Sequence, residues 1–336
     1  MQTASLRTQL LLCGWMFASL PFTHAGAQPF DAPPRELRIM TWNVEWMFDA
    51  YHGDNRSKLS REQSAPTEEF WEAKLAAVTE LLARYQPDII ALQEIEGAQT
   101  LRQIGERLRQ QHQLIYQYAF IEGSDSFTEQ DVGCLSRSGL CSFKRHVQSQ
   151  TMYDSHQYYN LSKHLACEFR WAGLDNPLVV LTVHLRATPE AEDLRVRQAR
   201  LARHWLQPDL AARRDVILLG DLNTEQTVGS PAAEIAEIVG TGASPQMVDL
   251  LGHASNPNQS THLVLEKQFD RVFVSPSLMQ DGPGEDWSFE KIEVLPDGIV
   301  RGQPDGEQHW HNRLTIAIDE LDISDHYPVM ATFILK

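Results

Sequence analysis

Two apolar runs, Ile89 to Leu92 and Val216 to Leu219, break off abruptly, the first at Gln93-Glu94 and the second at Gly220-Asp221. Runs this short and this continuous, bounded by polar residues, read as buried strands. A carboxylate at the end of a buried strand costs free energy unless it is paired, hydrogen-bonded or holding a cation. The pattern recurs along the chain: Leu37 to Val44 carries Asn43-Val44-Glu45, Leu178 to Val183 ends at His184, Phe269 leads into Asp270-Arg271, and Ser324-Asp325-His326 precedes the run Met330 to Leu335. Polar signatures at so many strand ends need a common explanation.

The spacing supplies two strand-helix-strand halves. In the first, the strand Leu37–Val44 precedes a helix over Glu68–Tyr85, where Trp71, Leu75, Val78, Leu82 and Tyr85 recur at helical steps. Pro87 stops that helix before the strand Asp88–Leu92. In the second half, Leu178–Val183 leads to a helix opened by Thr188-Pro189-Glu190, with Thr188 expected as cap and Pro189 in the first helical position. Leu194, Leu201, Trp205 and Leu206 supply its inward face before the strand Val216–Leu219. Two such halves can pack sheet against sheet with helices outside, so that their polar strand ends converge on one edge. Further strands are expected at Leu114–Ile121, Val132–Ser136, Tyr158–Ser162, Leu165–Trp171, Phe269–Val274 and Met330–Leu335. Residues 226–262 and 276–315, rich in Gly, Pro, Ser and Asn, are expected to be loops with short helical pieces.

Residues 1–27 have the layout of a secretory signal peptide: Arg7, an apolar stretch from Leu10 to Leu20, and the small residues Ala25-Gly26-Ala27. The apolar stretch falls short of the ~20 residues a membrane-spanning helix needs. The expectation is an exported, secreted or periplasmic protein without stable membrane insertion, acting as a monomer; an uncleaved anchor is the rival reading. Residues 28–36 read as an extended leader and 37–336 as one large α/β domain. Lys and Arg number 29 against 45 Asp and Glu, a formal charge of −16. Such a surface repels a polyanion at long range, so any nucleic-acid binding has to come from local Arg placement and bound cations. Beyond Cys13, the chain has Cys134, Cys141 and Cys167. A Cys134–Cys141 bridge, a Cys134–Cys167 bridge and three free thiols all stay open.

Glu94, Asp221 and Asn223 are oxygen donors that suit a hard cation, Mg2+ first, with Mn2+ or Ca2+ as alternatives. Of the 13 histidines, His184 and His326 stand apart because each adjoins a strand-like run among other polar residues. Imidazole can both take and give a proton near neutrality. A hydrolase that moves protons beside a divalent cation is the chemistry this set permits.

The ordered set Trp42-Asn43-Val44-Glu45, Leu92-Gln93-Glu94, His184, Gly220-Asp221-Leu222-Asn223, Phe269-Asp270-Arg271 and Ile323-Ser324-Asp325-His326-Tyr327-Pro328-Val329 resembles the endonuclease/exonuclease/phosphatase superfamily, from about Arg38 onward. Within it, Tyr116 to Glu122 and Ser324 to Val329 look most like the deoxyribonuclease I branch. The resemblance implies two packed mixed β-sheets flanked by helices, a four-layer α/β/β/α sandwich. It implies that Glu122 orients His184 and Asp270 orients His326. Glu94 becomes the main metal ligand, supported by Asn43 and Asp325, with Glu45 a further candidate. Asp221 and Asn223 would orient nucleophile and phosphate, and Arg137 and Arg186 are either phosphate contacts or ordinary surface arginines. The function so implied is a cation-dependent phosphodiester hydrolase acting on nucleic acid, DNA before RNA. A lipid or inositol-phosphate phosphoesterase, and a binding module without catalysis, are the competing readings.

Three other signals receive bland readings. Arg195, Arg197, Arg200 and Arg203 read as a solvated helix face. Trp42 and Trp46 read as core packing. His309-Trp310-His311 is weak evidence for a second metal.

Overall fold

The computed structural model describes residues 30–224, 232–240, 247–280 and 286–336. The signal peptide expected over 1–27 lies outside these residues. In chain order the strands are β1 (Glu36–Met47), β2 (Ile89–Ile95), β3 (Gln117–Ala119), β4 (Asp131–Ser136), β5 (Leu140–Lys144) and β6 (His164–Phe169). They continue with β7 (Leu178–His184), β8 (Asp215–Asp221), β9 (Val248–Asp249), β10 (Asp270–Val274), β11 (Trp287–Val294) and β12 (Val329–Leu335). The α-helices are α1 (Lys58–Gln63), α2 (Glu68–Tyr85), α3 (Ala98–His112), α4 (Gln150–Asp154), α5 (Glu192–Ala211), α6 (Ala233–Val239) and α7 (Gln308–Asn312).

The strands form two six-stranded sheets, ordered β11-β12-β1-β2-β4-β3 and β5-β6-β7-β8-β10-β9. Each is built on a central parallel pair, β1 with β2 and β7 with β8, flanked by antiparallel strands. The two halves legible in the sequence are therefore the two sheets. Their inner faces share one apolar core, in which Ile39, Ile89, Ala91 and Val132 meet Leu165, Val180, Ile217 and Leu219. The outer face of the first sheet packs on α2 and α3 through Met40, Trp42, Ile90 and Leu92, and that of the second on α5 and α6 through Leu181, Val183, Val216 and Leu218. The four-layer α/β/β/α sandwich is the observed architecture. Among the described residues, no helix is long and apolar enough to cross a membrane.

Helix α2 begins where its cap dictates, with the Thr67 side chain accepting from Phe70 N–H at 3.2 Å and Glu68 and Glu69 at the positive end of the helix dipole. The second helix starts differently. Thr188 has φ 81° and caps nothing with its side chain; a 3-10 turn over Pro189–Ala191 leads into α5. The expected strand Tyr158–Ser162 is not one. Part of the expected loop 276–315 is strand β11, whose alternation is broken by a register shift between Phe289 and Lys291. Edge strand β5 and helix α3 also lie beyond the sequence-based expectations. Cys134, Cys141 and Cys167 are free thiols.

The basic stretch of α5 needs a larger correction. Arg195 is completely buried, with Nε 2.6 Å from Glu234 of α6 and Nη1 donating to the carbonyls of Arg186 and Thr188 at 3.2 and 2.5 Å. It is a strut that ties two helices to the loop after β7. Arg203 is also buried, whereas Arg197 and Arg200 form surface ion pairs with Asp193 and Glu237.

Candidate active site

Alternation along the central strands decides which polar side chains meet. On β1, Met40, Trp42 and Val44 face the helices, so Thr41 and Asn43 face the opposite sheet. The same two-residue period turns Gln93 of β2, Thr182 and His184 of β7 and Asp221 of β8 inward. A buried seam results: Thr41 Oγ1 donates to Gln93 Oε1 at 3.2 Å, and Gln93 Nε2 reaches Thr182 Oγ1 at 3.2 Å across the sheets. At its open end, Asn43 Nδ2 donates to Glu94 Oε1 at 3.0 Å and to Asp221 Oδ2 at 2.9 Å. The two acids that end the apolar runs thus share one amide.

Strict alternation would send Glu94 to the helix side. Instead β1 and β2 slip register between Asn43 and Met47, and Glu94 takes φ 62°, which swings its carboxylate back to the inner edge. There Oε2 accepts from Trp46 N–H at 3.0 Å. The irregularity has the reverse effect on Glu45. Left-handed backbone at Glu45 (φ 46°) and Trp46 (φ 42°) turns its carboxylate away, onto His309 Nε2 at 2.5 Å and Arg313 at 4.0 Å. Glu45 is therefore not among the candidate metal ligands.

Strand direction places the rest. The parallel strands deliver residues at their C-terminal ends, and antiparallel neighbours begin at that same edge, so Asp270 at the start of β10 lies opposite Asp221. Ser324-Asp325-His326, just before β12, arrives beside Asn43. Ser324 Oγ donates to the Asn43 carbonyl at 2.8 Å, and Trp42 Nε1 donates to the His326 carbonyl at 3.1 Å. Arg137 follows the far end of antiparallel β4 and lies at the opposite edge, 3.6 Å from Asp88. It is not a substrate contact. Arg186 is exposed two residues beyond His184, at the rim. Gly220, with φ 140°, lets β8 approach β7, since a Cβ there would sit 1.9 Å from the Val183 carbonyl oxygen.

Asp221 is the hub. Its Oδ2 lies 3.5 Å from His184 Nε2 and 3.8 Å from His326 Nε2, and its Oδ1 accepts from Asn223 N–H at 2.8 Å. Asn223 Nδ2 donates to the Leu185 carbonyl at 3.1 Å. His326 Nδ1 meets Asp270 Oδ2 at 2.7 Å, the pairing expected from the resemblance. The other expected pairing is absent. Glu122 stands in an exposed loop, 3.9 Å from Arg56, while His184 Nδ1 is buried without a hydrogen-bond partner. The nearby loop acid that acts on His184 is Asp125, itself 3.2 Å from Lys163 Nζ.

Burial and charge split the two rings. Burial, with Lys163 adding to it, lowers His184 to about 3, so this ring is neutral. Burial also opposes charge on His326, but Asp270, Asp221 and Asp325 overcome it and hold the imidazolium well above the usual range. Glu94 is pushed up to about 7 by burial and by the facing Asp325. Carboxylates forced together in this way form an oxygen-rich cluster that a divalent cation would relieve. Glu94 and Asp325 are the acids that could hold one, whereas Asn43 turns its amide nitrogen toward Glu94 and Asp221 and its Oδ1 accepts from Glu45 N–H at 2.9 Å.

Several neighbours escaped sequence reasoning. Lys163 precedes β6 at the site edge, so the rule that found His184 could have found it. His262 has no such signal: it sits in a loop, with its ring 4.6 Å from that of His326 and Nε2 3.6 Å from Asp325. Trp310 Nε1 donates to Asp325 Oδ2 at 2.8 Å. In the same short helix, His309 is buried between Glu45 and Asp305, and His311 is exposed, so the two histidines do not converge on one ion. Burial opposes charge on His309, yet Glu45 and Asp305 raise it to about 9. Its contribution to stability should be complete below about pH 6.5 and disappear as pH rises through about 9. The gap in unfolding free energy between wild type and His309→Gln, on the order of 3 kcal/mol at neutral pH, should close toward about pH 10. A gap constant with pH would deny the buried cation.

Comparison places this geometry among known proteins. No curated protein sequence matches the chain. The zebrafish (D. rerio) TDP2 complexed with single strand DNA product is similar in structure, at 17% identity and a TM-score of 0.53 over 89% of this chain and 99% of that one. The human Nocturnin catalytic domain matches at 14% identity and TM-score 0.55, over 91% and 97%. An endonuclease/exonuclease/phosphatase family protein from Bacteroides thetaiotaomicron matches at 17% identity and TM-score 0.57, over 90% and 99%. At these identities the likeness establishes the fold, the deoxyribonuclease I-like sandwich. The sequence pattern described as "Endonuclease/Exonuclease/phosphatase family" matches residues 40–326, most of the length, and the chain belongs to that family.

Proposed function

We propose that the chain is a divalent-cation-dependent phosphodiesterase that cleaves nucleic acid, DNA before RNA, as an exported monomer. The observation that carries this reading is the convergence on Asp221 of Asn43, Asn223, His184 and His326, drawn from both sheets and edged by Glu94 and Asp325. Glu94 and Asp325 would hold the cation, with Asn43 steadying Glu94 through its amide N–H, and the cation when bound offsets the charge that builds on the phosphoryl oxygens.

The side chains account for the proton movements. Hydrolysis joins a water oxygen to phosphorus and releases the ester oxygen, so one proton must leave the water and one must reach the departing group. Asp221 is kept ionised despite its burial by the neighbouring His326 imidazolium and by hydrogen bonds from Asn43 and Asn223. It would orient the attacking water and take its proton. His326 has Nδ1 committed to Asp270, which leaves Nε2 as the ring atom facing the cleft and able to pass a proton to the departing oxygen. His184 and Asn223 would hydrogen-bond the phosphoryl oxygens. In-line attack needs no covalent enzyme intermediate.

One expected argument for a nucleic-acid substrate, a second histidine-carboxylate pair, is gone. Support now comes from the similar TDP2 structure with a DNA product. The layout of residues 1–27 supports export. Plasmid, single-stranded DNA, RNA and phospholipid vesicles should be offered with Mg2+, and again with a chelator. Nicked plasmid with Mg2+, none with chelator, and recovery when Mg2+ is restored in excess are expected. Lipid turnover with intact plasmid would install the lipid reading instead.

A further inference from the structure

We propose that Trp310 is a stacking platform for the nucleobase adjoining the scissile phosphate, an inference that rests on the nuclease reading above. Large apolar side chains are exposed at several places on the surface, but among the described residues Trp310, 40% exposed, is the one whose polar atom is fixed to a candidate site residue, with Nε1 on Asp325. Its ring packs edge-on against His262 at 5.6 Å, and His262 in turn packs against His326. The indole therefore forms part of the cleft wall with an area left open. Tryptophan offers a broad aromatic face for a base, and such stacking tolerates any sequence.

The mount is rigid. Next to Trp310 in α7, His309 is clamped between Glu45 and Asp305. Arg313 follows, with Nη2 donating to the carbonyl and the side-chain oxygen of Gln63 at 2.5 and 2.9 Å. A face held in place before binding loses little side-chain freedom when a base arrives. The displaced Glu45 thus has a role, as the anchor of the segment that carries this indole. A chain with −16 formal charge gains from such a contact, because stacking does not depend on long-range attraction to phosphate.

The test compares a short single-stranded oligonucleotide with one carrying an abasic residue beside the same scissile phosphate, using the full enzyme with Mg2+. The quantity read is the ratio of kcat/KM on the two substrates. Any effect of Trp310 on Asp325 is common to both substrates and cancels, as does the fraction of folded enzyme. Trp310→Ala should reduce the preference for the base-bearing substrate by roughly 5- to 100-fold, and Trp310→Phe, which keeps a ring but loses the N–H, should retain most of it. An unchanged ratio in Trp310→Ala, or an equal loss in Trp310→Phe, overturns the platform and leaves Trp310 as a prop for Asp325. If wild type cuts neither oligonucleotide, the nuclease reading fails and takes the platform with it.

Discussion

Replacing His326 by glutamine should reduce phosphodiester turnover by about 10²- to 10⁴-fold while the protein stays folded, because the ring nitrogen facing Asp221 is lost but an N–H can still be offered to Asp270. The choice of glutamine matters. Asp270 is completely buried, so His326→Ala would strand its carboxylate and mix a folding defect with the kinetic one. Asp270→Asn should also lower kcat, since it removes the carboxylate that fixes the His326 tautomer. The two changes act on one proton path. The double variant His326→Gln/Asp270→Asn should therefore be little slower than His326→Gln alone. Additive losses would mean that Asp270 works independently of His326. Turnover equal to wild type in His326→Gln would overturn the proton-transfer role of His326.

Arg195→Ala should destabilise the protein by about 3–5 kcal/mol, read as a lower urea midpoint, because Glu234 would be left charged and alone in the interior. Replacing the pair together, Arg195→Met with Glu234→Leu, should recover most of that loss, since well-packed apolar residues often substitute for a buried ion pair. Activity should not recover with it. Arg195 also holds the carbonyls of Arg186 and Thr188, and with them the backbone just beyond His184. An Arg195→Ala variant with an unshifted urea midpoint would contradict the strut.

The fold was legible where periodicity and chain punctuation agreed. Trp71, Leu75, Val78 and Leu82 gave α2 its bounds, and the runs before Glu94 and Asp221 gave β2 and β8. Strands with a broken alternation, such as β11, carried no such signal. Within the site, Asn43, His184, Asp221, Asp270 and His326 were legible because each lies at a strand end on the shared edge. Glu45 and Glu122 mark the limit of that logic. Whether Glu45 faces the cleft depends on two left-handed residues that no spacing rule reveals. Glu122 lies in a loop, where a motif can match while the side chain points elsewhere. The run at Arg195 misled for another reason: composition does not distinguish a solvated arginine from one that meets Glu234 from a distant helix.

Strand β12 occupies an interior position, between β11 and β1, although it is the final strand in chain order. The first sheet cannot close, and Asp325 and His326 cannot join Asn43, until that last piece has emerged from the ribosome. A nascent chain carrying every earlier motif would still be inert. For the nuclease proposed above, such an order of synthesis withholds the assembled site until the segment from Ser324 to Leu335 has been made.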